Sequence, residues 1–407
     1  MQGFPLVAEL RDFDCGDRDA LFAAFYSRPV QGYYTHIENG PMLSADLMQP
    51  IPRLDDGHAF MISWSGGVQS AEAGKDQWRV LPVLHEGKPC VNGFYSKSDL
   101  GRFMKQRGLK FVAFQHIQWM GGAFNSHWAP LIPGQSNFSL SPANVWGNVS
   151  RNLSRARIET ALKAQQDPSP GEMEAILDAK SEPERLAQSI ALSLRNLDTS
   201  VEQVSSFYNQ ELTNQLAAGK IDGSRSSSMR DQVLYAQVHS FFLHLGAARD
   251  YLATFIALQL GKDHQKYDAM GRLIEAVRTA DIEGSMILKI MEARGYVSPR
   301  ENTSDKWSVS GWLKQATDLR NEFVHKRTYG HKAVERMGHL RPIDLENGLY
   351  RYFRPIALDH AANDVFDVII EHYEKTNELF YTAAKASGFD ASILHLTDKD
   401  IISIKKA

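Results

Sequence analysis

The sequence predicts an α+β protein, with an N-terminal mixed α+β domain followed by a mainly α-helical C-terminal bundle. Two observations carry this expectation. Five of the seven tryptophans (Trp64, Trp78, Trp119, Trp128 and Trp146) fall within residues 1–150, among short apolar runs broken by glycines. From about residue 151 the apolar spacing changes to that of amphipathic helices. The expected division is 1–150 for the α+β domain, 151–222 for a helical connector and 223–407 for the bundle.

Within the first block, "HAFMISWSGG" (58–67), "QWRVLPVLHEG" (77–87) and "LKFVAFQHIQWMGG" (109–122) have the length, aromatic content and flanking glycines of strands. Between the last two, "SKSDLGRFMKQRG" (96–108) predicts a short helix, with Ser98 as its cap and Gly108 as its end. The paired glycines Gly66–Gly67 and Gly121–Gly122 make neither a dinucleotide fingerprint nor a P-loop, so both pairs predict tight turns. Further on, "DPSPG" (167–171) breaks the helical pattern and "KIDGSRSSSMRD" (220–231) reads as a hinge. Long helices are expected at Met229–Gly261, Gly311–His325 and Asn363–Gly388, packed in one bundle. The stretch 326–360 is expected to be an exposed, largely irregular connection.

Composition limits the function. The chain has 407 residues, is 43% hydrophobic and carries a formal net charge of −3, so a phosphate-binding surface must be a local patch. Two cysteines, Cys15 and Cys90, exclude a disulfide framework and a four-cysteine zinc site. The start "MQGFPLVAELRDFD" lacks a basic region followed by an apolar run, and no uninterrupted apolar run approaches a membrane span. A cytoplasmic protein without a membrane partner is expected.

The stretch Asp318–Lys332, "DLRNEFVHKRTYGHK", concentrates the chemistry. On a regular α-helix Asn321 and His325 are i, i+4 neighbours, whereas Arg320 and His325 diverge by about 140°. Residues 326–341 hold five Lys/Arg against one acid, Glu335, with His331 and His339 added. These residue types suit cleavage of RNA by its own 2′-hydroxyl. Histidine can take the hydroxyl proton, and a guanidinium can hold the phosphate and stabilise charge building on its oxygens. No carboxylate cluster accompanies them, so neither metal nor cofactor is expected. An ordinary structural reading is also open: Arg320 pairs with Asp318 or Glu322, His325 caps a helix, and the cations form a solvated face.

The segment "RNEFVH" resembles the R-N-x-x-x-H signature of the HEPN superfamily (higher eukaryotes and prokaryotes nucleotide-binding), and the likeness covers roughly 228–390. The resemblance implies a helical bundle, often homodimeric, and metal-independent endoribonuclease activity in toxin–antitoxin or phage-defence systems. It implies Arg320 as transition-state stabiliser, Asn321 as positioning group and His325 as acid/base. RNA, a second copy of the chain and an antitoxin or regulatory protein become the expected partners. Lys326, Arg327, His331 and Lys332 are the expected RNA-phosphate contacts. The subgroup silenced by nucleotidyl modification carries His-x-Tyr, whereas Tyr329 lies four residues after His325, which argues against that regulation. Because Arg320 and His325 diverge on one helix, a two-fold partner is expected to complete the site. The chief alternative is a non-catalytic HEPN-like nucleotide- or protein-binding module with an N-terminal sensor domain. A helical scaffold with a ligand-binding N-terminal domain is the third.

Other candidates carry less. His85, His116 and His127 match no zinc spacing, and the tryptophans are better read as core than as base-stacking surfaces. No G-x-S-x-G elbow is present.

Overall fold

In a computed structural model, residues 35–36, 58–74, 77–120, 123–130, 132, 140–165, 168–301, 305–358 and 361–393 are described. The protein is mixed α+β, with an N-terminal sheet and a mostly helical C-terminal part. Cys15 and the Gly121–Gly122 pair lie outside the described residues. The chain folds as two compact units, and these differ from the consecutive blocks 1–150, 151–222 and 223–407. The first takes residues 1–131, 198–240 and 327–373, and the second takes 132–197, 241–326 and 374–407.

A seven-stranded sheet organises the first unit, in the order β1-β5-β4-β3-β2-β6-β7. Its strands are β1 (Thr35–His36), β2 (His58–Trp64), β3 (Gln69–Gly74), β4 (Gln77–His85), β5 (Lys88–Tyr95), β6 (Phe111–Met120) and β7 (Ala123–Pro130). Only β1 and β5 pair in parallel; the other neighbours are antiparallel. Gly66 (φ 71°) and Gly67 (φ 85°) make the expected turn between β2 and β3. A Cβ at Gly67 would lie 2.5 Å from the Tyr208 carbonyl carbon, so backbone approaches backbone there. Helix α1 (Lys97–Gln106) is capped by Ser96, whose Oγ accepts from the Asp99 amide at 3.2 Å. Ser98, the expected cap, sits inside the first turn. Three tryptophans of this unit are core. Trp64 and Trp78 are buried, and Trp128 donates to the Tyr373 hydroxyl at 3.1 Å.

The 326–360 stretch is not the irregular connection expected. It contains β10 (His339–Asp344) and β11 (Leu349–Phe353), an antiparallel hairpin, and then β12 (Pro355–Leu358), which pairs with β13 (Ala361–Asp364). Leu340, Tyr350, Tyr352 and Ile356 are buried. Tyr352 packs edge-on against Tyr208 at 5.1 Å, and Tyr208 leans on Phe366 at 4.8 Å. The physical reason is burial of a row of aromatic and branched side chains, which outweighs the basic residues interspersed among them.

The second unit is helical. It draws on α2 (Pro142–Ala164), α3 (Pro170–Asp178), α4 (Glu182–Ala217) up to residue 197, and α5 (Asp231–Gln259) from residue 241. Short helices α6 (Met270–Ala276), α7 (Thr279–Gly284) and α8 (Met286–Ala293) follow, then the small β8 (Val297–Pro299)–β9 (Trp307–Val309) hairpin. Helix α9 (Gly311–Asn321) and the later part of α10 (Val365–Lys385) complete it. Ser169 caps α3 through a capping box with Glu172, which explains the break at "DPSPG". Trp146, fully buried, donates to the Phe380 carbonyl at 2.9 Å and meets Phe255 edge-on at 5.2 Å. Helix α5 has a stretch with the length and hydropathy of a membrane span, and 61% of that stretch is buried in the fold. A central bundle helix has the same composition for a different reason.

Candidate functional site

Helix α9 presents Trp312, Leu313 and Ala316 to the second unit's core, and Phe323 continues that apolar line one turn further on. Phe323 stacks on Phe242 of α5 at 5.1 Å. The next turn is not α-helical: Glu322–Lys326 form a π-turn, with one extra residue per hydrogen-bonded ring. That local widening changes the site. Residues five apart, which diverge on an α-helix, come to one side of a π-turn. Arg320 Nη1 lies 2.9 Å from His325 Nε2. The divergence expected from a regular helix is corrected by this geometry. With it goes the geometric reason for requiring a second copy.

Guanidinium only donates, so His325 Nε2 is the acceptor in this contact and the ring proton sits on Nδ1. Asn321 Oδ1 accepts from the same Nη1 at 3.3 Å, so Asn321 orients the arginine rather than the histidine. No carboxylate lies within ion-pair distance of Arg320 among the described residues, and the expected alternative pairing with Asp318 or Glu322 is not formed. Arg320 Nε is shut off from solvent and has no hydrogen-bond partner. His325 is exposed, and Lys326 beside it is exposed, with a 3.7 Å contact to Glu322.

The bed under Arg320 is made by a glycine. A Cβ at Gly246, inside α5, would come within 2.9 Å of Arg320 Nε and 3.1 Å of its Cγ. Nearby, Arg249 is buried, donates to the Leu313 carbonyl and the Thr317 hydroxyl, and reaches Asp250 at 3.8 Å. Burial lowers the Arg249 pKa, Asp250 partly opposes that, and the Arg320 charge adds to the lowering. Burial raises the Asp250 pKa, against the pull of Arg249 and Arg320. A guanidinium, an amide and an imidazole are thus held together on a cationic patch.

The remaining expected contacts belong to the first unit. Arg327 is not a surface cation. It is only 9% exposed, and its Nη1 donates to both oxygens of fully buried Glu335 at 2.9 and 3.0 Å. Its Nη2 donates to the Ala357 carbonyl at 2.9 Å. Arg327 is therefore withdrawn from the phosphate-binding set. Lys332 Nζ donates to the same carbonyl at 3.1 Å from an exposed position. His331 is exposed and lines an open groove of about 810 Å³ with Tyr235, His239 and Arg336. Tyr329 is buried, its hydroxyl donating to the Pro355 carbonyl at 2.8 Å.

Sequence reasoning missed two features of this unit. Arg354 is completely buried, bonded to Asp231, Tyr235, Tyr352 and two backbone carbonyls. Burial works against its charge, and the Asp231 and Tyr352 bonds outweigh it, holding its pKa above the ordinary value. The second is the juxtaposition of Arg225, from the stretch read as a hinge, with His339 and Arg341 of the basic 326–341 stretch, made by the Ser226–Gly338 bridge. His116 and His127 face each other across β6 and β7, and no cluster of three metal-ligating side chains occurs among the described residues. No family model, curated protein or solved structure matches the chain.

Proposed function

We propose that the chain is a HEPN-type, metal-independent endoribonuclease that cuts RNA by attack of its own 2′-hydroxyl. The observation that supports this most directly is the 2.9 Å contact between Arg320 and exposed His325, on an arginine with no carboxylate at ion-pair distance among the described residues. An arriving phosphate offers the guanidinium a charged, bidentate acceptor and competes it away from the imidazole. His325 Nε2 then has a free lone pair beside the phosphate and takes the 2′-hydroxyl proton. The 2′-oxygen bonds to phosphorus and the P–O5′ bond breaks. The 5′-oxygen leaves with a proton from water or from His325 of a second copy. Arg320 offsets charge on the non-bridging oxygens, with Asn321 keeping its plane. Lys326 adds a cation for the strand. A cytoplasmic role in phage defence or beside an antitoxin is part of the same reading.

A binding-only module is the second reading, favoured by the Arg320 bond that occupies His325 Nε2. The two part on product analysis. RNA incubated in EDTA should yield 2′,3′-cyclic phosphate and 5′-hydroxyl ends, and 2′-deoxy at the cut position should block it. His325→Ala should abolish cutting while leaving RNA affinity within about twofold, since phosphate contacts supply most of the binding. Cleavage by His325→Ala at the parent rate, or products with 5′-phosphates, would discard the mechanism.

A further inference from the structure

The β10–β11 hairpin carries a face that the proposed cleavage does not use. Pairing of β10 with β11 sets His339 opposite Phe353 and Arg341 opposite Arg351, so these four share one face, while Leu340 and Tyr352 point into the core. A separate antiparallel bridge joins Ser226 to Gly338, with reciprocal backbone bonds of 2.8 and 2.9 Å. It brings Arg225, one residue before Ser226, alongside His339, one residue after Gly338.

The Arg341 guanidinium lies flat on the Phe353 ring, 3.1 Å from its centroid, and its Nε donates to His339 Nε2 at 3.2 Å. His339 in turn leans on Phe353 with ring centroids 5.3 Å apart. Stacking fixes the guanidinium plane and leaves its terminal nitrogens free along the edge. Arg351 is already offset, by Asp367 at 2.8 Å and Asp364 at 3.7 Å. Arg225 and Arg341 are exposed and, among the described residues, neither has a carboxylate at ion-pair distance. Arg341 consumes the free lone pair of His339, whose Nδ1 has no partner. What remains exposed is the two guanidinium groups of Arg225 and Arg341, with His339 holding Arg341 in place.

Asp364 and Asp367 act on Arg341 only at longer range, and no acid at ion-pair distance offsets Arg225 or Arg341 among the described residues. Burial lowers the His339 pKa, and Arg341 and Arg225 lower it further. A surface serving only solubility would intersperse acids here. We propose that Arg225 and Arg341, the latter positioned by His339 and Phe353, form a docking strip for the phosphodiester backbone of single-stranded RNA, separate from the Arg320–His325 pair. The strip follows a strand and is exposed, which suits a polymer backbone better than a small molecule that needs enclosure. The identity of the polymer rests on the RNA-cutting reading; the demand for negatively charged acceptors does not.

The test uses the full chain carrying His325→Ala, a fluorescein-labelled single-stranded RNA 20-mer, and anisotropy titrations over a range of NaCl. Adding Arg225→Glu and Arg341→Glu should weaken binding at least tenfold at low salt. The slope of log K against log[salt] should fall by about 1.4, for two lost phosphate contacts on a single strand at roughly 0.7 each. The chain should stay folded by circular dichroism although the Arg341–Phe353 stack is lost, and Arg225→Gln with Arg341→Gln should give an intermediate loss of affinity. Unchanged affinity and slope would overturn the strip, even if the parent chain cuts RNA. Loss of binding by the charge-reversed chain, with a parent that binds but never cuts, would keep the strip and discard the nuclease reading. Competition by AMP as effective per phosphate as RNA would overturn the polymer assignment. A parent that binds no RNA would remove both.

Discussion

Gly246→Ala tests whether Arg320 is seated for function. In the interior of α5, alanine should gain about 1 kcal/mol over glycine from helix propensity. Against this, the new Cβ meets Arg320 Nε at 2.9 Å, Cγ at 3.1 Å and Cδ at 3.4 Å. Overpacking in a rigid core costs about 1–3 kcal/mol. Here the obstructing atoms belong to a side chain whose Nη1 is held by one neutral amide and one imidazole. Those bonds are worth about 1 kcal/mol each, so the side chain should swing away. Net stability in urea denaturation should therefore stay within about 1 kcal/mol of the parent. Single-turnover RNA cleavage should fall toward the loss expected for Arg320→Ala, about 10²–10³-fold for one charge-stabilising donor. The Arg320 Nε resonance should move in ¹⁵N NMR spectra. Parent-like cleavage with a shifted Arg320 resonance would show that the arginine does not serve the reaction. A stability loss above about 2 kcal/mol would show that it is clamped as a structural element.

Arg327→Ala should act on stability, not on RNA affinity. It strips the partner from buried Glu335, which keeps backbone donors at Gly330 (3.0 Å) and Ala357 (3.1 Å), so the loss in urea denaturation should sit near the low end of about 3–5 kcal/mol. A parent-like denaturation curve with weakened RNA binding would restore Arg327 to the surface set. Asp231→Asn should cost a similar amount by stranding fully buried Arg354, and Asp231→Asn with Arg354→Met should cost less than the sum of the two single changes. Strict additivity would mean that the two residues are not coupled. His339 should make the fold acid-sensitive. Burial lowers its pKa, and Arg341 and Arg225 lower it further, so the unfolded chain takes up a proton that the native state resists. The cost is absent above about pH 6.5 and grows as pH falls below it. The parent should lose more stability than His339→Gln between pH 7 and 5, and equal losses would refute the assignment.

Much of this was readable in the residues, and the failures are local. Strands β2, β4 and β6 follow apolar runs with glycines at their ends, and the long helices follow their stripes. The π-turn was not readable. A period of 100° per residue is the only rule a helical stripe supplies, and a one-residue widening leaves composition untouched. It is also what separates an Arg320–His325 pair from two residues on different faces. The hairpin was legible in principle from the aromatic run "LYRYF" (349–353), but the basic residues before it, Arg341 among them, were counted as a solvated patch before their positions on a strand were considered. Arg327 was misassigned for the same reason. Charge in a sequence does not reveal whether a buried glutamate waits eight residues further on.

The interleaving of the two units has a consequence for the newly made chain. Residues 198–240 belong with strands made before residue 131 and with a hairpin made after residue 338, so early segments wait on late ones. Long-range closure of this kind is slow, and exposed strand edges are vulnerable to aggregation while it is pending. The Arg320–His325 pair belongs to a unit that also needs residues beyond 374. At roughly 5–20 residues per second, the 82 residues after His325, a fifth of the 407, take about 4–16 s to translate. A ribosome-bound chain therefore holds Arg320 and His325 without the whole bundle that seats them, so the proposed RNA cleavage is expected to wait on release and spare the message that encodes the chain.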